Sequence, residues 1–210
     1  MFFSRLLTRR EMQTICAALA VGFVLCGLAA RWGAGQLAVG DAVCADTLRL
    51  HIRADSDSLA DQTAKLAVRD AILALMDAAC TAKTQPEALR WAAQNRAALD
   101  LAARQVLAAR GCRAEVQVRL VEMYFSASRY AGAALPAGRY TAVRIDLGTA
   151  GRTGKNWWCV LYPGLCRTAC GGYALASEND LVCGGHIVRF AAVDAVRRLT
   201  ASRADRVLLE

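Results

Sequence analysis

The stretch "TLRLHIRADSDSLADQTAKLAVRDAIL", residues 47–73, changes its hydrophobic period halfway along. The first part alternates: Leu48, Leu50 and Ile52 share one face and Arg49, His51 and Arg53 the other, the pattern of a strand buried on one side. The second part starts a helix. Ser58 and Asp61 stand at capping-box spacing, and the run LADQTAKLAVRDAILALMDAAC continues without Pro or Gly. Leu59, Leu66 and Leu73 then line one side. Asp61, Lys65 and Arg69, at steps of four, read as a solvated face supported by ion pairs.

A second start signal lies in TQPE, where Thr84 and Glu87 repeat the capping-box spacing with Pro86 early, and Gly111 offers the stop. The two helices are expected to form a hairpin. Beyond it, Val116, Val118 and Leu120 alternate in AEVQVRLV, Val143, Ile145 and Leu147 alternate in TAVRIDLG, and NWWCVLY is a third β-rich run. LPAGRY and GTAGRTG supply turns. Residues 171–185 read as an irregular polar loop, and HIVRFAAVDAVRRLTASR as a closing helix through Ile187, Phe190, Val193 and Leu199. Consecutive strands exclude an alternating parallel sheet throughout. The expected fold class is α+β, a mainly antiparallel sheet packed against a helical hairpin and a C-terminal helix.

Upstream, 19 uncharged residues, MQTICAALAVGFVLCGLAA, separate Glu11 from Arg31, and Arg5, Arg9 and Arg10 precede them. That is the charge layout of an export signal or anchor. As a helix the run would rise roughly 28 Å, close to the hydrocarbon thickness of a bilayer. Small-x-small patterns end at Gly35 (GAG) and at Ala45 (Val43-x-Ala45), so both cleaved and anchored forms are compatible with the sequence. The expected organisation is a signal peptide or anchor over 1–35, a linker over 36–46, one extracytoplasmic domain over 47–202 and a tail over 203–210.

The net charge of +8 favours anionic surfaces without selecting nucleic acid. No Lys/Arg run exceeds two residues, and aromatic residues do not interleave with basic ones as on a nucleic-acid platform. Of nine cysteines, Cys16 and Cys26 lie in the apolar run and read as packing residues. The other seven are an odd set, so at least one stays unpaired or pairs between chains.

The loop GTAGRTGKNWWCVLYPGLC, residues 148–166, is Gly-rich and basic, but it is not a phosphate loop. That motif needs Gly where Thr149 stands, Ser or Thr where Asn156 stands, and a following helix. Cys159, Cys166, Cys170 and Cys183 supply four sulfurs, with His186 nearby in sequence, yet without the CxxC clamps of zinc modules. In an exported chain the preferred use is a disulfide between Cys159 and Cys166 across the Tyr162-Pro163-Gly164 turn, which would stabilise the fold by roughly 2.5 kcal/mol. No cofactor or metal is expected. Neither His51 nor His186 sits in a nucleophile motif. Asp55, Asp57, Asp61 and Asp70 read as helix-start residues rather than an acid/base pair. In a strand Trp157 and Trp158 point to opposite sides, so one of them is left for a cover or for a partner.

Three motifs, LRLHIRADSDSLADQTAKLAVRDAIL, LPAGRYTAVRIDLG and GKNWWCVLYPGLC, resemble in this order the stage II sporulation protein R family. Matching positions are Ser56, Asp57, Lys65, Arg69 and Asp70, then Pro136, Gly138 and Tyr140, then Lys155 to Cys159 and Cys166. Arg53-Ala54-Asp55 and Gly164 depart from the family pattern. The resemblance implies an exported forespore signalling protein, secreted or membrane-anchored in the space between the forespore and mother-cell membranes. Its implied role is to activate a membrane-embedded aspartic protease of the mother cell, which processes a sigma factor precursor, without being an enzyme itself. Lys155, Asn156, Trp157, Trp158 and Tyr140 are the expected partner-binding residues. No small-molecule substrate is expected. The alternative carried by the cysteines is an extracytoplasmic cysteine- or zinc-dependent hydrolase.

Overall fold

Apolar alternation in three of the strand-forming stretches meets apolar helix faces in the computed structural model. It describes residues 8–130, 133–148, 154–164, 172–183 and 206–209, with Val193, Ala195, Val196, Arg198 and Leu199. The chain divides into two units, Met1–Ala38 and Val39–Glu210.

The first unit is the apolar part of helix α1 (Arg9–Ala45). Thr8 and Glu11 cap it reciprocally: the Glu11 carboxylate accepts from the Thr8 N–H at 2.8 Å, and the Thr8 hydroxyl accepts from the Glu11 N–H at 3.3 Å. The helix is long and apolar enough to cross a membrane, and its apolar window is wholly unburied. This fits a signal peptide or an anchor. The stretch expected as a linker is helical as far as Ala45, because nothing in QLAVGDAVC interrupts helical hydrogen bonding except the isolated Gly40.

In the second unit, strand β1 (Leu48–Arg53) is followed by helices α2 (Leu59–Ala79), α3 (Gln85–Gln94) and α4 (Arg96–Ala109). Strands β2 (Val116–Phe125), β3 (Ser128–Tyr130), β4 (Ala133–Leu135), β5 (Gly138–Leu147) and β6 (Asn156–Tyr162) come next, then helix α5 (Ala176–Cys183) and strand β7 (Arg206–Leu209). The main sheet has the order β6-β1-β5-β2-β7. Among the described residues of this sheet only β1 and β5 run parallel; the other neighbours are antiparallel. The α+β class and the mainly antiparallel sheet are as the sequence implies.

The helix-facing side of the sheet carries Leu48, Leu50 and Ile52, Val116, Val118 and Leu120, and Val143, Ile145 and Leu147, the three apolar sets read from the sequence. Each fully buried Leu or Ile there contributes about 1.5–3 kcal/mol. Both helix-start signals are realised: Ser58 Oγ accepts from the Asp61 N–H, and Thr84 Oγ1 from the Glu87 N–H. The second helix breaks at Asn95 into α3 and α4, and Gly111, with φ of 68°, ends the pair.

The buried face of α2 is Ala64, Lys65, Val68, Ile72 and Met76; of the leucines on one side, Leu73 packs against the core while Leu59 is 85% exposed.

The opposite side of the sheet is covered too, so β1 is not half-buried. The small β3–β4 hairpin, α5 and the end of α1 supply Ala133, Leu135, Val182 and Val43, packed with Val160 and Tyr173. Helix α5 occupies 176–183 of the stretch expected as an irregular loop over 171–185, with Glu178 in its first turn accepting from the Leu175 N–H at 3.4 Å. The expected tail over 203–210 contributes β7, whose RVLL is strand-prone and lies beside β2. Of the expected closing helix, Val193, Ala195, Val196, Arg198 and Leu199 are helical, and the rest lies outside the described residues.

Candidate functional site

The NWWC stretch forms β6, the last strand on its side of the sheet, and strand geometry sends its two tryptophans to different environments. Trp157 packs against the helix-side core, with the Arg69 guanidinium 4.6 Å from its ring centre. Trp158 lies on the other side, stacked on His51 at 4.2 Å and 11°, with Phe125 edge-on at 4.7 Å. Both indoles are partly exposed, and Lys155 and Asn156 are exposed.

The charged stripe on α2 holds this strand in place. Lys65 is buried, and its ammonium donates to Gln62 Oε1 at 2.6 Å and to the Lys155 carbonyl at 2.9 Å. The Lys155 N–H donates to Asp57 Oδ1 at 2.7 Å. Asp61 is bound by the Ser56 hydroxyl, and Arg69 pairs with Asp70 at 2.7 Å. A solvated face was expected for Asp61, Lys65 and Arg69; instead Lys65 and Arg69 reach across to β6. Of the residues singled out by the family resemblance, Ser56, Asp57, Lys65, Arg69 and Asp70 thus meet Lys155 and Trp157 in space.

Gly154 makes this contact possible. A Cβ there would lie 2.6 Å from both the Ala54 and Ser56 carbonyl oxygens, so only glycine lets the two loops approach. At the loop's other end, Gly148 has φ of 95°, and a Cβ would lie 2.0 Å from Asp55 Oδ1. Residues 149–153 between them lie outside the described residues.

On the far side of β1, Arg49 is fully buried among rings, its guanidinium 4.2 Å from the Phe125 centre and 5.1 Å from that of Tyr140. Its Nε donates to the Cys159 carbonyl at 3.2 Å and its Nη2 to the Tyr130 hydroxyl at 2.6 Å, tying β3 to β6. Tyr140, expected at the partner surface, is fully buried, and its hydroxyl donates to the Pro136 carbonyl at 2.6 Å. Burial pushes its phenol well above the usual range. It braces the aromatic cluster and offers no contact surface. Gly138 passes so close to Cys44 that a Cβ would lie 2.5 Å from the sulfur.

Further along the same face, Asp146 is buried beneath three arginines: Arg53 at 3.1 Å, Arg144 at 3.0 Å, and Arg119. Burial opposes its charge, but Arg144, Arg119 and Arg53 prevail and hold the carboxyl below its ordinary value. His51 lies beside this group. Burial pushes its imidazole down to about 4, opposed by the nearby Asn156 side chain and Asp146 and reinforced by Arg144 and Arg53. Held neutral and stacked on Trp158, His51 is a ring of the packed interior.

Cys159 and Cys183 are each in a disulfide, and a sulfur so bonded is not a thiolate ligand or nucleophile. The expected pairing of Cys159 with Cys166 falls on Cys166, outside the described residues, as do Cys170 and His186. Cys16, Cys26, Cys80 and Cys112 are free thiols. Among the described residues no group of three or more His, Cys, Asp or Glu is placed to hold a metal ion. Lys155 and Asn156 lead into a strand, so no helix N-terminus stands behind the glycine loop for a phosphate.

A cavity of about 710 Å³ opens along β6, walled by Asn156, Trp157, Trp158 and Cys159 and by residues of α2 and β3. Sequence reasoning identified the β6 residues, named Arg49 and Arg69 without their ring contacts, and missed Tyr130. Arg49 carried a signal in its alternation with apolar neighbours, but not the information that its face would be covered.

Fold and site together define an α+β domain, preceded in sequence by a membrane-length apolar helix, whose most distinctive surface is an aromatic outer strand flanked by cations. The chain belongs to the stage II sporulation protein R family, whose model matches residues 44–171. It is similar to the stage II sporulation protein R of Bacillus subtilis (strain 168), with 32% identity over 120 residues, 57% of this chain and 53% of the relative. The chain therefore spans about half the length of the curated relative it matches. No solved structure matches the chain. The family is consistent with a part in sporulation signalling.

Proposed function

We propose that this chain is a signal exported from the forespore into the space between the forespore and mother-cell membranes. There it activates a membrane-embedded aspartic protease of the mother cell, which processes a sigma factor precursor. The chain acts as a protein ligand and not as the enzyme. The observation that carries this reading is the way Lys155 to Trp158 are presented. Asp57, Lys65 and Arg69 fix the strand by backbone and ring contacts while Lys155 and Asn156 stay exposed. A partly exposed aromatic pair beside polar groups on a rigid strand is the composition of a protein contact surface. The Cys159–Cys166 bridge belongs to this proposal as a brace at the strand's end.

The test is reconstitution: the chain is added to membranes that hold the protease and its precursor substrate, and precursor cleavage is followed. Cleavage is expected only with the chain present; equal cleavage without it would refute the reading. Replacing Lys155 and Asn156 together by Ala is expected to lower activation tenfold or more, a loss of about 1.4 kcal/mol or more in binding, with an unchanged circular dichroism spectrum and melting temperature.

A further inference from the structure

Strand β6 pairs on one side with β1, and it ends the sheet order on the other. An outer strand directs alternate backbone N–H and C=O groups away from the sheet, a ready template for another strand. The cavity beside it has an unusual wall. Arg69, Asp70 and Leu73 of α2 stand on the Trp157 side of the sheet, and Ser128, Arg129 and Tyr130 of β3 on the Trp158 side, with four successive β6 residues between them. A space that wraps a sheet edge and touches both faces has the form of a slot for an extended chain, whose side chains point by turns to one face and then the other.

The charge of the slot narrows the choice. Arg69 is paired with Asp70, whereas Arg129 and Lys155 are exposed and form no ion pair among the described residues. Two unpaired cations at a slot with apolar walls favour an occupant that brings carboxylates and apolar side chains in alternation.

We infer that β6 accepts, as an added strand, an extended acidic segment of a partner protein. Its apolar side chains lie toward Trp157 and Leu73, and its carboxylates lie toward Arg129 and at the Lys155 end. The inference rests on reading the chain as a protein ligand and names how that ligand is gripped. Backbone hydrogen bonds supply affinity, and the alternating walls supply selectivity.

The probe is the peptide acetyl-Glu-Val-Glu-Val-Glu-Val-Glu-amide, added to the full chain in detergent micelles, with binding and amide hydrogen exchange measured. Protection of the amides of residues 156–162 is expected. Binding is expected to weaken at least tenfold for the same peptide N-methylated at alternate residues, for the peptide with Lys in place of Glu, and for the Arg129→Glu chain. Equal binding of the N-methylated peptide would overturn strand addition, and equal binding of the Lys peptide would overturn the acidic preference. Protection of 156–162 by self-association, without peptide, would assign the edge to a second copy and overturn the inference. The activation assay is read separately. Activation without peptide protection removes strand addition and leaves the proposed function standing; protection without activation does the reverse.

Discussion

Asp146 is buried against the three arginines Arg53, Arg119 and Arg144, and the strand register explains why it must be there. Arg119 faces Arg144 directly across the β2–β5 pair, and His51 faces Arg144 across β1–β5. Without Asp146 that row would bring like charges together out of water. Asp146→Asn is therefore expected to destabilise the fold by about 3–5 kcal/mol, measured as a lowered urea midpoint with little change in slope.

His51 gives the same region a pH dependence. Its folded pKa of about 4 lies below the ordinary 6.5, so the unfolded chain takes up a proton that the folded chain refuses. Stability is then complete above about pH 6.5 and falls as pH drops toward 4, by about 1.4 kcal/mol per unit and about 3 kcal/mol in all. The groups facing the ring are Arg53 on its own strand, Arg144 and Asp146 on β5, and Asn156 and Trp158 on β6. His51→Phe keeps a ring against Trp158 and should flatten the stability profile between pH 6.5 and 5, leaving the steeper loss at lower pH, where Asp146 is protonated. An unchanged slope would place the titration elsewhere. From the sequence, Arg49, His51 and Arg53 read as the wet side of a strand. Alternation separates the two sides but carries no information about a cover supplied by distant residues such as Val43, Leu135 and Val182.

Among the elements, α2 and β6 depend on each other. The capping signal at Ser58 was legible because a cap is a local hydrogen bond, and the strand character of NWWCVLY because β-propensity and alternation are local as well. What α2 buries was not legible. Leucine spacing puts Leu59, Leu66 and Leu73 on one side, whereas the residues buried are Ala64, Val68, Ile72 and Met76 together with Lys65, whose ammonium reaches the Lys155 carbonyl. A charged residue at an inward position shows its role only once its partner, 90 residues along the chain, is known. The joint between these elements passes through Gly154. Gly154→Ala is expected to push residue 154 off the Ala54 and Ser56 carbonyls and cost about 1–3 kcal/mol. It should also raise hydrogen exchange at the Lys155 amide, which donates to Asp57. Loss of stability without that local exposure would move the cause elsewhere.

At the scale of the whole molecule, the domain core was legible as three alternating apolar sets, while the second layer over the sheet was not. That layer is assembled from short pieces, namely the hairpin of β3 and β4, the eight-residue α5 and the last residues of α1. None is long enough to show a period of its own. The division of the chain at Ala38 and Val39 falls inside α1, so Val43 and Cys44 belong to the folded unit.

This placement bears on maturation. Both are buried, and the Thr47 hydroxyl donates to the Val43 carbonyl while sharing a hydrogen bond with Tyr173, so the side chains of Val43 and Cys44 are part of the packed interior although Ala45 is exposed. A signal peptidase cutting after Ala45 would strip two side chains from that interior, whereas one cutting after Gly35 would leave it whole. Intact-mass measurement of any processed chain is expected to place its new N-terminus at Gln36 or earlier, and a terminus at Asp46 would contradict this.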